Sequence, residues 1–116
     1  MKKAGVTFHD VRKIAATLPG AEESTSYGTS AFKVRDTLFV RLREDIDALV
    51  VRVEIDQRQD MIDADPEVYF LTDHYLNYPW ILVRLSSVRI DALADLLRGA
   101  WQLAISTKKR KRNGKR

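Results

Sequence analysis

Apolar residues recur along this chain at two periods, and the switches between them mark out its elements. Val11, Ile14, Ala15 and Leu18 repeat at helical spacing behind Thr7, which can form a capping box with Asp10, and Pro19-Gly20 ends the run. Residues 22–27 are polar and rich in Ser and Thr, readable as a short edge strand or a loop, with Gly28 as a turn. Alternation then takes over. In residues 31–35, Phe32 and Val34 share one face, and Lys33 and Arg35 the other. Asp36-Thr37 turns the chain. In residues 38–43 the alternation puts Leu38, Val40 and Leu42 in the core, with Phe39, Arg41 and Arg43 pointing away. After a second turn at 44–47, residues 48–53 place Leu49, Val51 and Val53 inside and Val50 and Arg52 outside.

The second half repeats this grammar. Asp56 is expected to cap a helix that buries Met61 and Ile62, and Pro66 ends it. Residues 68–71 and 80–85 read as strands; in the latter, Ile81, Val83 and Leu85 alternate with Trp80, Leu82 and Arg84. Asp91 is expected to cap a third helix with a stripe of Leu93, Leu97, Ala100, Trp101 and Ala104. The order α-β(3)-α-β(2)-α, with hairpin connections, predicts an antiparallel sheet with the helices on one face. That is an α+β two-layer sandwich. Residues 1–105 are expected to form one domain and residues 106–116 a disordered basic tail.

Composition refines the picture. A chain of 116 residues with 45% hydrophobic and 31% charged residues suits a single soluble domain. The absence of cysteine excludes disulfides, thiolate nucleophiles and Cys-based zinc sites, and fits a reducing compartment. The opening MKKAGVTFHD lacks an apolar stretch behind its lysines, and no apolar run approaches the roughly 20 residues of a spanning helix. A cytoplasmic protein with no membrane partner is expected. The net charge of +4 is unevenly spread. The last nine residues, which include Lys108, Lys109, Arg110, Lys111 and Arg112, hold seven cations and no acid; the rest carries 13 Lys/Arg against 16 Asp/Glu.

The outward strand positions carry the functional signal. Lys33, Arg35, Arg41, Arg43, Arg52 and Arg84 are all basic, and Phe39, Val50, Trp80 and Leu82 lie among them. Such a face suits phosphate backbones, with Trp80 or Phe39 stacking on bases. Basic side chains also serve solvated and edge strands, where their stems cover apolar surface. A single bulge would flip part of the face. Two other uses of the same residues stand beside DNA binding. One is a protein-interaction patch of Trp80, Leu82, Val50 and Phe39 on a monomer or weak homodimer. The other is a small-anion or small-molecule site. The basic tail reads as a nucleic-acid arm or, in a nucleated cell, a localisation signal, against the plainer reading of a solvated, dispensable end.

The stretch TDHYLNYPW at 72–80 concentrates His74, Tyr75, Tyr78 and Trp80. A general base needs a partner nucleophile in an oriented pocket, and no nucleophile elbow is present. His9 and His74 belong to no paired metal motif, and 63–67 lacks the glycine and closing Glu of a calcium loop. Neither a metal, nor a cofactor, nor an enzymatic activity is expected. The stretch reads instead as an aromatic loop launching the last strand, with Pro79 favouring an extended Tyr78.

The segments LPGAEESTSYGTSAFKV at 18–34, LFVRL at 38–42 and DADPEVYFLTDHYLNYPWILVRL at 63–85 resemble the MmcQ/YjbR family. The resemblance covers about residues 11–104 and implies a two-layer sandwich similar to secretion chaperones. It also implies the DNA-binding role and the "double wing" description attached to that family. Ser30, Asp36-Thr37 and Asn77 depart from the pattern, which has Pro, Gly-Lys and Gly there. The second departure removes a cation from a hairpin tip. The resemblance carries over no catalytic residue.

Overall fold

The computed structural model describes residues 5–114, with side chains described as far as Ser106. Helix α1 (Phe8–Ala15) begins where the sequence places it: the Thr7 amide donates to Asp10 Oδ2 at 2.9 Å, satisfying one of the helix's orphan groups. Strands β1 (Ala21–Ser26), β2 (Thr29–Val34), β3 (Thr37–Arg43) and β4 (Ala48–Arg52) follow as successive hairpins. A single 3-10 turn at Ile55–Gln57 then leads into α2 (Arg58–Ala64). Strands β5 (Tyr69–Phe70) and β6 (Trp80–Arg84) and helix α3 (Ile90–Gly114) complete the chain.

The six strands form one sheet in the order β1-β2-β3-β4-β6-β5, antiparallel throughout. The helices pack on one side, giving the expected α+β sandwich. The buried α3 stripe of Leu93, Leu97, Ala100 and Ala104 lies over the inner face, against Val40, Leu49, Val51, Ile81 and Val83. Trp101 Nε1 donates to Pro19 O at 2.9 Å, tying α3 to the end of α1. Arg12 reaches Glu23 on β1 at 3.0 Å, and the Phe8 and Phe32 rings stack at 5.8 Å.

Several boundaries differ from the sequence expectation. Residues 21–26 are a full strand, pairing with β2 from Ala21↔Val34 to Ser26↔Thr29, so the sheet gains an edge. Asp56 sits inside the 3-10 turn, and Asp91 lies in the first turn of α3 instead of at its cap. Helix α3 continues past residue 105 to Gly114. The side chains of the expected tail cations Lys108, Lys109, Arg110, Lys111 and Arg112 lie outside the described residues.

The consequential difference is in β3. The turn between β2 and β3 is Arg35-Asp36, one residue earlier than Asp36-Thr37, with φ of 52° and 66° at the two positions. Both central residues are left-handed, as a two-residue type I′ hairpin requires. Pairing starts at Val34↔Thr37 and Lys33↔Leu38, then jumps to Phe32↔Val40. Phe39 is the extra residue of a β-bulge. The early turn puts Leu38 beside Lys33 on the outer face. The bulge lets Phe39 and Val40 both point inward, after which Arg41, Leu42 and Arg43 resume the expected alternation. Phe39 is therefore not a surface aromatic: it is 0% exposed, in the main core. Arg35 likewise leaves the face for the exposed hairpin tip.

This assignment has a mutational signature. Phe39→Ala should cost about 3–5 kcal/mol, as a large core truncation does, and Leu38→Ala, half-buried on the other face, about 1 kcal/mol. Urea denaturation of the two variants checks it; the reverse ranking would put Phe39 back on the open face.

Candidate functional site

The outer face follows from the register. One cross-strand row runs Ala31, Arg41, Val50, Leu82 and Phe70; the next runs Arg43, Ala48 and Arg84; a third pairs Arg52 with Trp80. Lys33 lies opposite Glu22 on one side and Leu38 on the other. Lys33, Arg41, Arg43, Arg52, Arg84 and Trp80 are thus on the face expected for them, while Phe39 and Arg35 are not.

The face is less open than alternation implies. Val50 and Leu82 are buried, because residues 71–79 fold back over this side and Tyr75 packs on Ala48, Val50 and Leu82. Of the apolar patch Trp80, Leu82, Val50 and Phe39, only Trp80 is therefore partly exposed. His74 is exposed and meets the edge of Tyr75, with ring centroids 4.7 Å apart and planes at 90°.

What holds this loop down is a residue that sequence reasoning passed over. Arg58, at the start of α2, is 6% exposed. Its Nη1 donates to the carbonyl oxygens of Tyr75 (2.9 Å), Tyr78 (2.9 Å) and Trp80 (3.1 Å), and its Nη2 to that of Leu76 (2.7 Å). Among the described residues no carboxylate lies within 4.0 Å of it. Four carbonyl dipoles converge on the cation in its place, and charge-assisted bonds of this kind are the stronger sort. Arg58 Nε finds no partner among the described residues. The polar setting of Arg58 between Gln57 and Gln59 gave no periodic hint that this arginine is buried.

The face cations are oriented too. Arg43 forms a two-pronged pair with Asp45, at 3.0 and 2.7 Å, and donates to the Tyr75 hydroxyl at 3.0 Å. The Asp45 bond, reinforced by Tyr75, holds the Arg43 proton more tightly than usual; the same bond holds the Asp45 carboxyl below its ordinary value. Arg41 donates to Tyr75 Oη at 3.4 Å and to Ser26 O at 3.3 Å. Arg52 donates to Leu38 O at 2.9 Å and lies 4.6 Å from the Trp80 centroid, and burial lowers its proton affinity. Arg84 donates to Glu67 O at 3.2 Å and lies 4.4 Å from the Phe70 centroid. Arg43 is thereby pre-positioned by a carboxylate and a phenol hydroxyl, and Arg41, Arg52 and Arg84 each by an aromatic ring and a carbonyl.

Between the β1–β2 hairpin and the folded-back loop runs a groove of about 740 Å³. Ser26 and Tyr27 form one wall; His74, Tyr75, Tyr78 and Trp80 the other; Leu38, Arg41, Arg43 and Val50 the floor. Tyr27 is 91% exposed and Tyr78 56%. In the sequence the first wall is marked only by the Tyr27-Gly28 turn, which carries Tyr27 to the groove's lip. Among the described residues no cluster of three metal-ligating side chains exists, and no helix is long and apolar enough to cross a membrane.

The fold and this face define an α+β sandwich that presents an arginine- and aromatic-lined groove on the helix-free side of its sheet. The YjbR family model matches residues 16–103, and the chain belongs to the YjbR family. Among curated proteins, Uncharacterized protein Rv2570 of Mycobacterium tuberculosis and Uncharacterized protein Mb2600 of Mycobacterium bovis are each 42% identical over 41 residues. That match covers 35% of this chain and 32% of each relative, about a third of their length. Among solved structures, the crystal structure of Deinococcus radiodurans protein DR2400, a DUF419 domain, is similar in fold. It has a TM-score of 0.72 and 24% identity, over 84% of this chain and 77% of that one.

Replacing Arg58 with Met, which fills much of the volume but donates nothing, should remove the donor shared by four carbonyls, of which Tyr75 O and Tyr78 O keep a backbone N–H. We expect a loss of about 3 kcal/mol in chemical denaturation. Faster amide exchange across residues 73–78 than in the rest of the sheet should accompany it. Unchanged exchange there would show that the loop is held by its packing alone.

Proposed function

We propose that this protein is a non-enzymatic module that binds nucleic acid, DNA in the first instance, through the helix-free face of its sheet. One observation carries the reading. Of the five basic residues on the face, Lys33, Arg41, Arg43, Arg52 and Arg84, only Arg43 has a carboxylate within 4.0 Å among the described residues. Like charges gathered on one surface repel, and a solvated face with no binding role ordinarily intersperses acids among them. A phosphate backbone supplies the missing anions. Arg52 and Arg84, laid against Trp80 and Phe70, keep the donors that point away from their carbonyl partners for phosphate oxygens. The acids of the body lie mainly on the helices and turns, so the charge separation favours approach by this face.

The protein-interaction alternative keeps only Trp80 of its apolar patch at the surface, since Val50 and Leu82 are buried and Phe39 lies on the other side of the sheet.

Binding should weaken steeply with salt, by about −0.9 in log–log slope for each phosphate neutralised on a duplex and about −0.7 on a single strand. Arg41→Ala should reduce the slope by about one such step. A full-length variant with Lys108, Lys109, Arg110, Lys111 and Arg112 changed to Gln separates tail from face. Titration of both variants by fluorescence anisotropy checks the proposal. Failure of the parent to bind at low salt would sink it, and loss of all binding in the tail variant alone would move the activity to the tail.

A further inference from the structure

We infer that the groove between Tyr27 and Tyr78 takes an unstacked base of single-stranded nucleic acid, with the adjoining phosphate on Arg41. The inference rests on the reading of this face as a nucleic-acid surface and names the form of nucleic acid it accepts.

Tyr27 is the first indication. It occupies the first position of the two-residue β1–β2 turn, with φ of 53°, followed by Gly28 with φ of 79°. Left-handed backbone suits Gly, Asn and Asp and is disfavoured for a bulky side chain. Folding gains little in exchange: the ring is 91% exposed and meets Arg41, whose guanidinium lies 5.1 Å from its centroid. A large ring held in a strained turn and presented to solvent is accounted for by a partner that covers it.

Tyr78 is the second. It stands on the opposite wall, 56% exposed, yet its backbone is fixed by the 2.9 Å bond from Arg58 to its carbonyl. The two walls thus offer aromatic surface on backbones that are already ordered, which lowers the entropy lost on binding. Between them Arg41 carries a positive charge with no carboxylate within 4.0 Å among the described residues.

The ligand follows from geometry. A duplex shows phosphates and base edges while hiding the faces of its bases, whereas an unpaired strand offers both a ring face and a phosphate. A groove of about 740 Å³ lies within the range that encloses a small organic ligand. It has room for a nucleotide between two rings that stand exposed on its walls.

The test compares three labelled probes on the full-length protein: a short mixed-sequence single strand, the same sequence as a duplex, and a mononucleotide. Each is titrated against the parent, Tyr27→Asn and Tyr78→Ala. Asn suits the turn, so Tyr27→Asn should keep or raise the melting temperature. It should also weaken single-strand binding about 5- to 150-fold, the effect of losing one base stack, with the salt slope unchanged. The parent should prefer the single strand to the duplex. Duplex binding at least as tight, with Tyr27→Asn and Tyr78→Ala both silent, would overturn the base site and leave the proposed function standing. Binding of neither polymer would overturn both. A mononucleotide held as tightly as the strand would overturn the strand as occupant.

Discussion

The outer face of this protein depends on one buried guanidinium. Residues 71–79 form an irregular connection laid across a sheet, and irregular backbone over an apolar floor leaves carbonyls with no ladder to join. Arg58 gathers three of them, those of Tyr75, Leu76 and Tyr78, together with that of Trp80 at the head of β6. Only a planar fork with several donors can do this at once; a lysine ammonium offers fewer donors and no fixed geometry. Once the loop is pinned, Tyr75 is pressed onto Ala48, Val50 and Leu82, and its hydroxyl stands where Arg41 and Arg43 both reach it. The groove's inner wall, and the orientation of the two cations on its floor, are consequences of that single side chain on α2.

The β3 bulge supplies the second constraint. A type I′ turn at Arg35-Asp36 and an inward Phe39 together decide which side chains share a surface. Without the extra residue, the turn that puts Leu38 outside would put Val40 outside as well, and would send Arg41 and Arg43 into the core. The bulge corrects the phase within one residue. The face therefore has four arginines in register, and the core keeps Phe39 beside Val40.

Most of the architecture was legible in the alternation and helical spacing. Residues 48–53 and 80–85 gave two strands because Leu49, Val51 and Val53, and Ile81, Val83 and Leu85, recur at a period of two. The α3 stripe gave the packing helix. β1 was ambiguous because Ser24, Thr25 and Ser26 carry no apolar alternation; it is an edge strand held by backbone pairing, and pairing leaves no hydrophobic trace. The turn at 35–36 was missed because Arg is a poor left-handed residue, so Asp36-Thr37 looked the better pair. Five of the six face cations were correctly sided. Phe39 was not, since a bulge is invisible to parity counting. Arg58 was illegible for a different reason: its partners are main-chain atoms some 17 to 22 positions away, and carbonyls have no side-chain signature.

These two constraints bear on function in opposite ways, and the tension between them is informative. Arg52 is partly desolvated against Trp80, which lowers its proton affinity, and Arg84 and Arg41 each lie against a ring. Holding several cations side by side raises the energy of the free protein, and cation–π contacts offset only part of it. A sheet selected for stability alone would place acids in more of the cross-strand slots, as this one does with Glu22 opposite Lys33. Ala48, between Arg43 and Arg84, and Val50, beside Arg41, are instead neutral. The surface is thus a charged one whose internal contacts orient its cations and leave most of their charge uncompensated. Repulsion of this kind would be relieved by an anion, so the same feature that costs stability in the free protein would strengthen the binding proposed for this face.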